Sequence, residues 1–132
     1  MSKWLNRLQP WGALLLRLIL GGTMIYYGYR KVVPHGALHR FAHEVATLGL
    51  PAWLGYVSAF TEFVGGMLLV VGLFTRLAAL FVTINLLVAF ITVGIHQNFS
   101  VYSNIAALIA IAVMLLFYGA GKLALDRKIG FA

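Results

Sequence analysis

The chain has 132 residues, of which 62% are hydrophobic and 10% charged, with a net charge of +7. An ordinary soluble domain carries about 25% charged residues, so this composition excludes a soluble globular domain and points to an integral membrane protein. The basic residues flank apolar runs, where they anchor helix ends, so the positive charge does not indicate nucleic acid. The absence of cysteine excludes a thiol redox pair, a thiolate metal site and any disulfide.

In chain order, the first apolar run is Trp11 to Tyr29. Arg17 interrupts it and no A-x-A-like cleavage site follows, so it reads as a retained span, not a signal peptide. Next comes "VVPHGALHRFAHEVATLGLP", with Pro34 and Gly36 at one end and Gly49 and Pro51 at the other. Within it, Leu38, Phe41, Ala42, Val45 and Leu48 fall on one helical face. The spacing predicts an amphipathic helix over Ala37 to Leu48, lying on the membrane surface.

Three more runs follow, Ala52 to Phe74, Leu77 to Ile95 and Val101 to Gly119. Each is near the roughly 20 residues that a crossing helix needs. Short connections, "FTR" and "HQNFS", join them as hairpins. The predicted fold is an all-α membrane protein, a single domain over 1–132, formed by four transmembrane helices with a short interfacial helix between spans one and two. With the N-terminus inside, Lys3, Arg7, Arg76, Lys122, Arg127 and Lys128 fall on the inner side and Arg30, Lys31 and Arg40 on the outer. That bias predicts cytoplasmic termini.

Polar and small residues share faces. Span one aligns Arg17, Gly21, Met24, Gly28 and Lys31; span two aligns Gly55, Ala59, Glu62, Gly66 and Leu69; span three aligns Ala78, Asn85, Ala89, Thr92 and His96. Polar groups in membranes face the bundle interior and small residues let helices approach, so the three faces are expected to converge. Gly21, Gly28, Gly65, Gly66 and Gly72 are the expected helix-packing glycines. Glu62, deep in its span, must be paired, protonated or wet. A rise of about 1.5 Å per residue puts Arg17 about 7 Å from it in height, which makes Arg17 the expected partner, directly or through a water or Asn85. Two readings of this pair stay open. It is a structural clasp, or it lines a pocket formed with Asn85 and, nearer the outer mouth, Lys31 and His96.

His39 and His43, four apart, have the spacing of a metal pair, but the polar face of an interfacial helix is the better explanation of them. No metal site is assigned, and no catalytic triad, phosphate loop, haem or flavin motif is visible. A quinone or another small apolar molecule would fit beside Arg17 and Glu62, since its carbonyls accept hydrogen bonds.

The segments "LLLRLILGGTMIYYGYRKV", "LGLPAWLGYVSAFTEFVGGMLLVVGLFTRLAAL" and "GAGKLALDRKI", with His96, resemble the DoxX family of small bacterial membrane proteins. The resemblance implies a four-helix bundle in the bacterial inner membrane. It marks Arg17, Gly28, Lys31, Glu62, Gly65, Gly66, Gly72, Arg76 and Asp126 as family positions. The family takes its name from subunits of thiosulfate:quinone oxidoreductases, and some members are tied to oxidative-stress complexes. The implied function is an accessory or partner-dependent subunit of a membrane redox system, with a redox partner protein and room for an oligomer. A purely structural scaffold, or a transporter of protons or small molecules using Glu62, are the alternatives. No stand-alone catalytic motif decides among them.

Overall fold

The computed structural model describes residues 2–92 and 97–119. Six helices account for most of them, and no strand occurs among the described residues. They are α1 (Ser2–Arg7), α2 (Gln9–Val32), α3 (Ala37–Thr47), α4 (Ala52–Val71), α5 (Thr75–Thr92) and α6 (Phe99–Tyr118).

Local chemistry sets the ends. Pro10 lies in the first turn of α2, where its missing N–H costs nothing. Gly36, at φ 74°, supplies the left-handed residue from which α3 starts. Pro51 is extended and opens α4. Gly72, at φ 76°, closes α4. Its N–H and that of Leu73 both return to the Leu68 carbonyl, satisfying the end of the helix. The expected helix-packing role of Gly72 thus gives way to a turn. Asn98 caps α6, its side-chain oxygen accepting from the Val101 N–H at 3.2 Å and from the Ser100 hydroxyl at 2.8 Å.

The helix α1 falls outside the apolar runs and contributes no buried residue. α3 ends one residue before the expected Leu48, and α2 runs three residues past the expected Tyr29.

Three helices, α4, α5 and α6, are long and apolar enough to cross a membrane. Their outward faces carry large apolar side chains such as Val64, Phe81, Ile91 and Phe117, all well exposed. Such continuous apolar surface is costly in water and ordinary in lipid. α2 is the longest at 24 residues, about 36 Å. It is not in that set, since Arg17, Arg30 and Lys31 lower its apolar character.

α2 packs most extensively on α4, α4 continues onto α5, α5 onto α6, and α6 returns to α2. α3 lies across one end, against α4 and α2. The core runs through Leu20 and Met24 of α2, Leu69 of α4, Val82 and Leu86 of α5, and Leu108, Ala112 and Leu115 of α6.

Candidate functional site

The α2–α4 contact is made by glycines. A Cβ on Gly21 would lie 2.7 Å from the Gly66 carbonyl, and one on Gly28 would lie 2.5 Å from the Phe63 backbone nitrogen. Both helices therefore meet backbone to backbone. Gly65, on the adjoining face, would bring a Cβ to 3.1 Å from Val82 of α5. No open space is left along the α2–α4 seam at Gly21, Gly28 and Gly66.

This seam fixes which charges meet. Gly21 faces Gly66 and Val70, and Gly28 faces Phe63. Carried forward, the antiparallel register brings Lys31 to within a turn of Glu62. Side chains on a helix lean toward its N-terminus, so Lys31 leans into the protein and Glu62 leans up to meet it. The Lys31 ammonium lies 2.9 Å from Glu62 Oε1 and 2.8 Å from Oε2. Glu62 is 6% exposed, and the Lys31 side chain 26%.

Asn85 of α5 completes the set. Its amide donates to Glu62 Oε1 at 3.1 Å, while its carbonyl oxygen accepts a short hydrogen bond from the Ser58 hydroxyl. The Lys31 ammonium also sits 4.3 Å from the centre of the Phe41 ring of α3, a cation–π distance. Four elements, α2, α3, α4 and α5, thus converge on one ion pair, its carboxylate buried and its ammonium partly exposed. It is the only ion pair among the described residues.

Arg17 is not part of this cluster. The same register sets it across from the last turn of α4, roughly 12–18 Å along the axis from Glu62. Arg17 is fully buried there, at 1% exposure. The expected Arg17–Glu62 pairing is therefore replaced by Lys31–Glu62. The depth of each residue cannot be counted from its own helix end, because α2 stops below the start of α4. His96 lies outside the described residues, as does Asp126.

The chain matches the model of the family described as DoxX over residues 12–95. It belongs to the DoxX family. The matched segment holds α2 from its fourth residue on, α3, α4 and α5, and with them every residue of the Lys31–Glu62–Asn85–Ser58 network. Among curated proteins it is similar to "Putative oxidoreductase CatD" of Bacillus subtilis (strain 168), at 32% identity over 124 residues, covering 92% of this chain and 90% of the relative. No solved structure matches.

Two cavities open on the surface of this DoxX protein. One is an open cleft of about 390 Å³ between the end of α2 and α3, in which Lys31 takes part. The other is an apolar groove of about 570 Å³ between α4 and α5, from Tyr56 down to Leu68 and Leu77. At the upper end of that groove the Tyr56 hydroxyl is hydrogen-bonded to His39 Nδ1 at 2.7 Å, tying α3 to α4. Ala42 of α3 packs on Gly55, where a Cβ would lie 2.7 Å from the Ala42 Cα. His39 thus serves a contact between helices.

Ser58, Phe41 and Tyr56 are site residues that sequence reasoning misses. Ser58 precedes Glu62 by one helical turn, and that spacing is a usable signal. Phe41 and Tyr56 depend on how α3 folds back, which no local pattern encodes.

Proposed function

We propose that this protein is a four-span subunit of a membrane redox system, working with a partner protein that carries the electrons. In this reading α2 is the fourth span, beside α4, α5 and α6, and together they form a transmembrane bundle in the bacterial inner membrane. α3 lies at the outer surface and both termini are cytoplasmic. The Lys31–Glu62–Asn85 centre takes a quinone or a similar small carbonyl-bearing apolar molecule.

The observation that carries this reading is the buried polar centre itself. A lysine ammonium and an asparagine amide, both hydrogen-bond donors, converge on one carboxylate beside an open cleft. A quinone carbonyl accepts from such donors, and Glu62 could hold or release the proton that accompanies reduction. The name of the Bacillus relative, "Putative oxidoreductase CatD", supports the redox assignment.

A second reading is favoured by a specific observation. Glu62 has donors on both oxygens, and the Asn85 side chain is bonded at both ends. A network satisfied internally also serves as a clasp that holds α2, α4 and α5 in register.

The test is quinone binding to the protein in nanodiscs, comparing wild type with Lys31→Met and Glu62→Gln. Saturable affinity that falls at least tenfold in both variants, with unfolding still cooperative, supports the quinone site. No saturable binding by the wild type leaves the network as the clasp.

A further inference from the structure

The cleft between α2 and α3 has a charge imbalance that the ion pair does not resolve. It is lined by Tyr27, Arg30, Lys31, Arg40, Phe41 and Glu44. Lys31 is already committed to Glu62 at 2.8 Å. Arg30 reaches Tyr26, its hydroxyl at 3.4 Å and its ring centre at 5.7 Å, and Arg40 the His35 carbonyl at 3.4 Å, with no other side-chain hydrogen bond or ring contact to either among the described residues. Both partners are neutral and both contacts are long. Two guanidinium groups therefore share the cleft with one carboxylate, Glu44, and neither makes an ion pair with any described residue. Gly36, at φ 74°, helps to set this up: a Cβ there would come within 3.1 Å of the Arg40 guanidinium.

The depth of the cleft narrows the counterion. Its α3 wall is held level with the first turns of α4 by Ala42 on Gly55 and by His39 on Tyr56. α4 is apolar enough to cross the membrane and starts at Ala52. The cleft thus opens near the edge of the hydrocarbon layer, where phospholipid phosphates lie. Guanidinium groups bind phosphate oxygens in two-point fashion, and basic pockets between helices are a recurrent form of headgroup site. The aromatic rings of Tyr27 and Phe41 give the adjoining glycerol and acyl carbons an apolar wall.

We propose that this cleft binds the phosphodiester of an anionic phospholipid of the phosphatidylglycerol class. The two guanidinium groups hold the phosphate, and Glu44 accepts hydrogen bonds from the headgroup hydroxyls. With Lys31 and Glu62 neutralising one another, the excess of one positive charge matches a singly charged headgroup. The proposal depends on α4 crossing the membrane and not on quinone binding.

Native mass spectrometry of the full chain released from detergent, titrated with phosphatidylglycerol or phosphatidylcholine, tests it. The wild type should bind one phosphatidylglycerol at least tenfold more tightly than phosphatidylcholine. Arg30→Gln and Arg40→Gln should each erase most of that preference with unchanged melting in detergent. Glu44→Gln keeps a side-chain oxygen that accepts from the headgroup hydroxyls and removes the negative charge beside the phosphate, so it should tighten phosphatidylglycerol binding severalfold, a change that a purely structural residue would not produce. Should either arginine variant fail to fold, the Glu44→Gln arm and the wild-type preference still decide. Equal binding of the two lipids by the wild type, or an unchanged preference in folded arginine variants, overturns the proposal. Displacement of the lipid by millimolar inorganic phosphate also overturns it, identifying a soluble-anion site instead.

Discussion

Lys31 and Glu62 form a two-point ion pair across the α2–α4 seam, the ammonium lying 2.9 and 2.8 Å from the two carboxylate oxygens. Removing Lys31 strands the buried Glu62 carboxylate, at a cost of about 3–5 kcal/mol, whereas removing Glu62 leaves a Lys31 side chain that is 26% exposed and can reach the cleft. Replacing both with apolar residues of similar size strands nothing. Lys31→Met should lower detergent stability sharply and Glu62→Met by less, and the double variant should recover most of the Lys31→Met loss. Thermal unfolding of the three variants measures this. A double variant as unstable as the sum of the singles would show that the pair is not coupled.

Glycine replacements should separate packed from open positions. Gly28→Ala forces a methyl to 2.5 Å from the Phe63 backbone, and Gly66→Ala forces one to 2.7 Å from the Gly21 carbonyl. Backbone on both sides leaves no flexible side chain to yield, so each should cost about 1–3 kcal/mol as overpacking. At Gly12 and Gly22 an added methyl would meet nothing within 4 Å. Alanine there should be neutral or stabilising by up to about 1 kcal/mol, from helix propensity alone. Melting temperatures of the four variants give the order directly.

The register behind these contacts marks the limit of what the sequence discloses. Pro34, Gly36, Pro51 and Gly72 delimit the helices by backbone chemistry, so α3, α4 and the start of α5 were legible to within a few residues. The sharing of one face by Glu62, Gly66 and Ala59 was legible too, because helical periodicity is local. The height of α2 against α4 was not. It is set by backbone contacts at Gly21, Gly28 and Gly66, which single-helix patterns cannot align. Counting each helix from its own end, without that alignment, puts Arg17 and not Lys31 beside Glu62. Asn85 was legible as a polar residue on an inward face, whereas its bond to Ser58 depends on how α5 is rotated against α4.

The docking of α3 should weaken in Tyr56→Phe. That change removes the hydroxyl bonded to His39 at 2.7 Å while keeping the edge-on ring contact, at 5.9 Å between centroids. The loss should be modest, about 0.5–1.5 kcal/mol, and confined to one end. Hydrogen exchange in nanodiscs should speed up over Ala37–Thr47 while the centre of α4 keeps its protection. Uniform acceleration through α4 would mean that the hydroxyl supports the whole protein instead.

Topology can be read with fusions. The basic bias predicts a cytoplasmic position for Arg76, in the first turn of α5, and an outer position for Arg40. A reporter inserted at the α4–α5 turn should act as a cytoplasmic one, and one inserted between Pro34 and Gly36 as a periplasmic one. The reverse pattern would invert the orientation without altering the helix packing.

Asn85 distinguishes the two readings of the polar centre. Its amide is one of the donors to Glu62 Oε1, at 3.1 Å, and its carbonyl receives the Ser58 hydroxyl. Asn85→Leu removes a donor from a buried carboxylate that keeps its two-point contact with Lys31. It also leaves the Ser58 hydroxyl seeking a new partner, so a loss of about 1–3 kcal/mol is expected. Adding Ser58→Ala removes that second penalty and should restore part of the stability. If the network is only a clasp, nothing beyond stability changes, and the double variant behaves like a mildly loosened wild type. If Asn85 also donates to a bound quinone, both the single and the double variant should lose affinity at least tenfold, and the stability recovered by Ser58→Ala should not restore it. Stability and affinity measured on the same three preparations therefore separate a residue that holds helices together from one that holds a ligand.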